Sequence, residues 1–166
     1  VTGAGELPYV ELFGSAMATD FSDSNHEGLL HFRNGYLNKL EGHSEGSLWV
    51  TDKMPQNFRY LGLLSKAFPE AKFIHVKRCP EAVCWGNFKT FFSGNSLGYA
   101  WAIDDIVTYY KLYQSLMEFW GDALHTRVYN LDYELLVENQ ESETRKLIDF
   151  IGLDWDENCL YPEDNT

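Results

Sequence analysis

After residue 46, short runs rich in β-branched and aromatic residues alternate with stretches in which apolar residues recur at helical spacing. The runs that predict strands are 48–51, 72–77 and 127–131. The helical patterns cover 58–68, 80–92, 99–123 and 140–151. This alternation is typical of a parallel sheet with helices packed on its faces, so we expect an α/β fold.

Several predicted helix ends carry residues that suit them. Pro80 fits the first turn of a helix, where its missing N–H needs no partner. Asn139 is suited to cap the last helix, and Gly152 to end it. Before residue 46 the pattern predicts two helices, at 9–18 and 27–40, separated by a polar break at 20–25.

Length and composition predict one globular domain over residues 1–166, because 45% of the residues are hydrophobic and can form one sizeable core. The longest apolar runs are only a few residues, which predicts neither a membrane span nor a signal peptide. The 3 cysteines lack metal-ligand spacing and are odd in number, so we expect reduced thiols, no metal site and a cytoplasmic setting.

The positive charge is concentrated in one part of an acidic chain. A formal charge of -12 argues against nucleic acid or an anionic membrane as a partner. Nevertheless, seven of the 13 basic side chains fall between residues 53 and 89, and Lys53 and Arg78 each follow a predicted strand. If those strands are neighbours, both cations and the amides that open the helix at Pro80 face one anion site. The alternative is that Arg78 only pairs with a carboxylate at a strand end.

Five segments, in this order and spacing, resemble one family. They are residues 3–8 (GAGELP), 52–58 (DKMPQNF), 68–80 (FPEAKFIHVKRCP), 132–136 (DYELL) and 150–153 (FIGL). The family is that of the sulfotransferases that use 3'-phosphoadenosine 5'-phosphosulfate (PAPS), in particular the bacterial branch similar to protein-tyrosine sulfotransferases and often joined to tetratricopeptide repeats. The resemblance implies a P-loop NTPase-like parallel sheet flanked by helices.

The resemblance also implies which residues bind PAPS. Arg78 matches an arginine that holds the 3'-phosphate, and Tyr133 matches a tyrosine near the same group. The family's second phosphate ligand is a serine eight residues after the arginine, where this chain has Gly86. One phosphate hydrogen bond is then lost or comes from another group such as Asn87. Cys79 stands where the family commonly has aspartate. A tyrosine whose hydroxyl is satisfied in the core is the alternative for Tyr133.

Two further residues match catalytic positions of the family. Lys53 matches a lysine that stabilises charge on the leaving phosphate, and Glu6 matches a glutamate that takes the proton of the acceptor hydroxyl. From the residues alone, Lys53 is equally an exposed loop lysine, and Glu6 a carboxylate near a helix start.

The family's loop for the 5'-phosphosulfate lies shortly upstream of the segment that matches residues 3–8. We therefore expect this chain to be a part of a sulfotransferase domain without that loop and without the first strand. Alone, it should bind the cofactor poorly and have little or no activity. Strand edges left open by the missing strand predict self-association.

The resemblance implies transfer of a sulfuryl group to an acceptor hydroxyl, which belongs to a peptide tyrosine, a carbohydrate or a small alcohol. A P-loop kinase, with Asp52 as its acidic magnesium ligand, is one alternative. A helical interaction module without catalysis is another.

Overall fold

The computed structural model describes residues 1–19, 26–93 and 97–162. The chain forms two compact units, an N-terminal unit (Val1–Ala71) and a C-terminal unit (Lys72–Thr166), and each is described by itself. The predicted polar break at 20–25 lies outside the described residues. Compact units can belong to one domain, so the single domain stays a prediction.

The N-terminal unit contains one short parallel strand pair, three α-helices and one 3₁₀ helix. Its elements are β1 (Thr2–Gly3), α1 (Tyr9–Thr19), α2 (His26–Glu41), β2 (Val50–Thr51), a 3₁₀ helix (Pro55–Tyr60) and α3 (Leu61–Ala67). Thr2 pairs with Val50 and Gly3 with Thr51. The sequence predicted β2 as a longer strand and did not predict β1, because β1 is too short to show an alternating pattern.

Aromatic side chains of the helices form the core of this unit. Phe32 and Tyr36 of α2 are buried against Phe68, with ring centroids 6.1 and 5.0 Å away. Arg33 of α2 lies beside this core, where its guanidinium donates to the Ala67 carbonyl (2.7 Å) and to the Glu70 carboxylate (3.0 Å). These contacts fasten α2 to the end of α3.

The C-terminal unit is built around a second parallel strand pair. Its strands and α-helices are β3 (Phe73–Lys77), α4 (Pro80–Lys89), α5 (Ile103–Leu124), β4 (Val128–Asp132), α6 (Tyr133–Glu138) and α7 (Gln140–Ile151). Short 3₁₀ helices cover Gly98–Trp101, His125–Arg127 and Glu157–Leu160. The register runs from Phe73 opposite Val128 to Lys77 opposite Asp132.

Most predicted elements of this unit are confirmed, with local differences. Gly152 ends α7 in the left-handed conformation (φ 84°), as predicted. Asn139 precedes α7 but makes no capping hydrogen bond through its side chain. The predicted apolar stripe of α5 is buried at Ile106 and Met117, whereas Ile103 is exposed.

At the level of fold class, the α/β prediction is confirmed, with parallel pairing in both units. Among the helices that the structure describes, none is long and apolar enough to cross a membrane.

Candidate functional site

The strand pair of the N-terminal unit brings the two predicted catalytic residues together. Backbone hydrogen bonds continue past the strands, from Ala4 N–H to the Thr51 carbonyl (2.8 Å) and from Lys53 N–H to the Gly5 carbonyl (2.9 Å). Gly5 has φ 75°, a left-handed conformation that glycine adopts without steric cost. This turn sets Glu6 beside Lys53.

Glu6 and Lys53 form an ion pair at the surface. The Lys53 ammonium donates to Glu6 Oε1, while 71% of the Lys53 side chain and 52% of the Glu6 side chain remain exposed. Such an exposed pair contributes at most about 1 kcal/mol to stability, because water screens both charges. Its exposure also leaves both groups accessible to a ligand.

The carboxylate of Asp52, the residue before Lys53, accepts three hydrogen bonds. Oδ1 accepts from Leu7 N–H (3.2 Å), and Oδ2 accepts from Asn57 Nδ2 (3.0 Å) and from the Tyr36 hydroxyl. Burial raises the pKa of Tyr36 far above its usual value, and the Asp52 carboxylate adds to the effect. Tyr36 therefore stays protonated and remains a donor to Asp52 at physiological pH.

In the C-terminal unit, strand register places Arg78 beside Tyr133. Lys77 and Asp132 are opposite each other at the ends of β3 and β4, so the next residue of each chain segment is adjacent as well. The Arg78 guanidinium lies 5.0 Å from the centroid of the Tyr133 ring. Asp132 fixes the first turn of α6 by accepting a hydrogen bond from Leu135 N–H (3.0 Å). The ends of the paired strands and the Tyr133 ring therefore define the position of Arg78.

The Glu134 carboxylate lies next to Arg78 and the start of α4. Glu134 Oε1 accepts from Cys79 N–H (3.1 Å) and lies 4.0 Å from Arg78 Nε. The Cys79 thiol donates to Glu81 Oε2 (2.9 Å), and this hydrogen bond lowers the pKa of Glu81. Glu134 therefore contacts both the Cys79 amide and the Arg78 guanidinium.

Gly86 lies within α4, where its carbonyl accepts from the Thr90 hydroxyl (2.7 Å). A Cβ atom built at Gly86 would have no heavy atom within 4 Å. The position therefore has room for a side chain, although the glycine itself offers no hydroxyl to a phosphate.

His75 forms a polar link that the sequence did not suggest. Its Nδ1 donates to Asn130 Oδ1 (2.7 Å) across the strand pair, and its Nε2 accepts from the Tyr113 hydroxyl of α5. Burial lowers the pKa of His75, and the Lys77 charge acts in the same direction, while the Asn130 hydrogen bond opposes it. Burial raises the pKa of Tyr113 to about 12, with Tyr110 adding to the effect. This link has a structural role, because it joins β3, β4 and α5.

Of the residues assigned from the sequence, Glu6 contacts Lys53, and Arg78 contacts Tyr133. The first pair belongs to the N-terminal unit and the second to the C-terminal unit. The convergence of Lys53 and Arg78 on one anion, and the role of Gly86 beside it, therefore stay predictions. The alternative of a strand-end ion pair for Arg78 is present in the structure, with Glu134 as the partner.

Sequence reasoning missed the contacts of Asp52 and Glu134. Asp52 was considered only as a magnesium ligand of the kinase alternative, although its position beside Lys53 at a strand end was the signal available. Glu134 follows Tyr133 in the first turn after β4, and only the strand register shows that it faces Arg78 and Cys79.

Comparison with known proteins identifies the family of the chain. The model of the Sulfotransferase family matches residues 15–157. An uncharacterized protein of Aquifex aeolicus is 34% identical over 113 residues, which are 67% of this chain and 15% of that protein. The omega-hydroxy-beta-dihydromenaquinone-9 sulfotransferase Stf3 of Mycobacterium bovis is 33% identical over 117 residues, 66% of this chain and 30% of that protein. The M. tuberculosis protein of the same name matches equally.

The chain thus spans less than a third of the length of these curated relatives. The family model nevertheless covers most of the chain, including the segment that carries Lys53, Arg78 and Tyr133. The chain belongs to the sulfotransferase family.

Proposed function

We propose that this chain provides part of the active site of a sulfotransferase that takes the sulfuryl group from PAPS and passes it to an acceptor hydroxyl. Membership of the family supports the class of reaction. The residue assignment rests on one observation: Arg78, Tyr133 and the Cys79 amide lie together at the start of α4. A guanidinium and a helix N-terminus are both suited to a phosphate.

In this proposal Arg78 binds the 3'-phosphate and Tyr133 lies beside it, with Glu134 displaced from the Cys79 amide. Glu6 takes the proton of the acceptor hydroxyl, and Lys53 stabilises negative charge on the leaving phosphate. The ion pair supports these two roles, because it keeps a carboxylate and an ammonium adjacent and accessible. The P-loop NTPase-like arrangement of the sheet and a cytoplasmic location are parts of the same proposal.

The acceptor is a hydroxyl compound, and two classes have support. The resemblance to the tyrosine-sulfating branch favours a peptide tyrosine. The mycobacterial relatives are named for an omega-hydroxylated menaquinone, which favours an alcohol. A carbohydrate hydroxyl remains a third candidate.

The proposal is tested by titrating the isotopically labelled chain with 3'-phosphoadenosine 5'-phosphate (PAP) and following the backbone amides by NMR, which detects millimolar binding. We expect weak binding that shifts the amides of Arg78, Cys79 and Glu81. Arg78→Ala should weaken binding about tenfold or more, because a charge-assisted phosphate contact is lost. Glu134→Gln should strengthen it up to about fivefold, because an internal competitor loses its charge.

Matched controls are Arg145→Ala, which removes an arginine that pairs with Glu141 on α7, and Glu138→Gln, which neutralises another carboxylate of α6. Both should bind PAP like the parent chain. If PAP shifts no amide near Arg78 at millimolar concentration, or if the controls change affinity as much as the test variants, the assignment is wrong.

A further inference from the structure

Asp52 connects the proposed catalytic pair to the core of the N-terminal unit. Its carboxylate accepts hydrogen bonds from three different segments: Leu7 in the connection from β1 to α1, Tyr36 in α2 and Asn57 in the 3₁₀ helix. Two of these donors are side chains, and the third is a backbone amide next to Glu6. The Asp52 side chain therefore joins its own segment, which follows β2, to three other segments of the unit.

The backbone on both sides of Glu6 is held by residues 52 and 53. On the N-terminal side, the Gly5 carbonyl accepts from Lys53 N–H (2.9 Å). On the C-terminal side, Leu7 N–H donates to Asp52 Oδ1 (3.2 Å). Because both neighbours of Glu6 are fixed, its side chain leaves the backbone at a defined point, within reach of the Lys53 ammonium.

Tyr36 provides a rigid anchor for Asp52. Its residue exposure is only 6%, and its ring packs on Tyr9, Phe32 and Phe68 with centroids 5.5, 6.0 and 5.0 Å away. A buried ring among other rings has little freedom to move, so its hydroxyl offers Asp52 a fixed donor. Asp52 itself is partly buried.

We propose that Asp52 is a positioning residue, whose carboxylate holds the Glu6 backbone so that the Glu6 carboxylate and the Lys53 ammonium stay paired. The catalytic role of Asp52 rests on the proposed function. The claim that Asp52 keeps Glu6 and Lys53 paired does not depend on that function. In the sulfotransferase reaction, Asp52 acts through Glu6 and Lys53 and touches no reacting atom. A fixed pair requires less reorganisation when the acceptor and PAPS bind.

The structural content is tested by competitive acetylation of lysines in the whole chain, read by peptide mass spectrometry. An ammonium bound to a carboxylate reacts slowly, because the ion pair must open before the nitrogen can attack the reagent. Glu6→Gln should raise the labelling rate of Lys53 about two- to fivefold relative to Lys111, an exposed lysine of α5. Asp52→Asn and Tyr36→Phe should each raise it in the same direction. Tyr36→Phe matters most, because it leaves the charge of Asp52 in place.

A double-mutant cycle separates positioning from a direct effect of the Asp52 charge on Lys53. In the Glu6→Gln background, Asp52→Asn should add nothing further to Lys53 labelling. Leu64→Ala serves as the stability control, because it removes a buried side chain of α3 without touching Asp52. It should leave Lys53 labelling at the parent rate.

Three results would overturn the proposal: parent-like labelling in Tyr36→Phe and Asp52→Asn, a full effect of Asp52→Asn in the Glu6→Gln background, or an equal rise in Leu64→Ala. A second readout addresses the catalytic meaning. In the whole enzyme of which this chain provides a part, supplied with PAPS and a hydroxyl acceptor, Asp52→Asn should lower kcat about tenfold while PAP affinity is unchanged. If PAP shifts no amide near Arg78, the proposed function is contradicted, whereas the labelling result still decides the role of Asp52.

Discussion

Gly86 is a residue at which this chain differs from the pattern that its resemblance to the PAPS-dependent sulfotransferases implies. A serine would be expected there as a phosphate ligand, and α4 carries a glycine with open space around the missing Cβ. Two consequences follow from this one substitution. A hydrogen bond donor is absent, and the helix contains a residue of low helical propensity.

We predict that Gly86→Ser raises affinity for PAP several-fold, because a hydroxyl is added where space exists and one phosphate hydrogen bond becomes available. Gly86→Ala is the matched control. Both variants should raise the thermal midpoint, since each residue favours the helix by up to about 1 kcal/mol over glycine. The NMR titration with PAP measures the affinity, and differential scanning calorimetry measures the stability. Equal PAP affinity for the two variants would show that position 86 does not face the phosphate.

At the scale of elements, α5 is held to the β3–β4 pair through His75. The imidazole uses both nitrogens, one toward Asn130 on β4 and one toward Tyr113 on α5. Only the neutral ring can accept from Tyr113, so protonation reverses this hydrogen bond and places a positive charge in a partly buried position. The long α5 helix and the strand pair are therefore coupled by a histidine whose pKa is lowered, chiefly by burial.

This coupling predicts a pH dependence of stability. The folded pKa of His75 is lowered, chiefly by burial, so the unfolded state binds the proton more readily. The stabilising contribution is then complete above the unfolded value of about 6.5 and is lost as the pH falls through the lower, folded pKa. Urea denaturation at about pH 7.5 and about pH 5 should show a larger loss for the parent chain than for His75→Gln.

His43→Gln is the control for this experiment, because His43 lies exposed in a turn after α2. Its loss of stability on acidification should match that of the parent chain. At about pH 7.5, His75→Gln itself should be less stable by about 1–2 kcal/mol, because Asn130 and Tyr113 lose their partner. Identical pH profiles for His75→Gln and the parent would contradict the coupling.

At the scale of the whole molecule, two opposing features govern association. Many large apolar side chains are exposed, among them Leu48 (97%), Phe91 (88%), Trp101 (65%) and Val76 of β3 (55%). Exposed apolar surface of this kind favours association. The formal charge of -12 opposes it, because like-charged molecules repel one another.

We therefore predict weak self-association that increases with salt, since salt screens the repulsion but not the apolar contact. Sedimentation velocity at low and high sodium chloride should show a rise in the average mass with both protein and salt concentration. The variant Leu48→Ser/Phe91→Ser should remain closer to a monomer. A monomer at high concentration and high salt would contradict the prediction.

The sequence by itself determined the local elements and the family. Pro80 and Gly152 mark helix boundaries through backbone chemistry that acts within a few residues, and the structure places a helix start and a helix end there. The strands at 72–77 and 127–131 were predictable for the same reason, because β-branched and aromatic runs reflect local preference. The alternation of strands and helices was enough to predict the α/β class.

Only the tertiary structure decided which side chains meet. β1 has two residues and no pattern of its own, yet its pairing with β2 brings Glu6 to Lys53. Likewise, register between β3 and β4 brings Glu134 to the Cys79 amide, although 55 residues separate them. Asp52 accepts hydrogen bonds from Tyr36 of α2, from Leu7 next to Glu6 and from Asn57 of the 3₁₀ helix. These contacts depend on strand pairing and helix packing between distant segments, and no local preference of the chain encodes them.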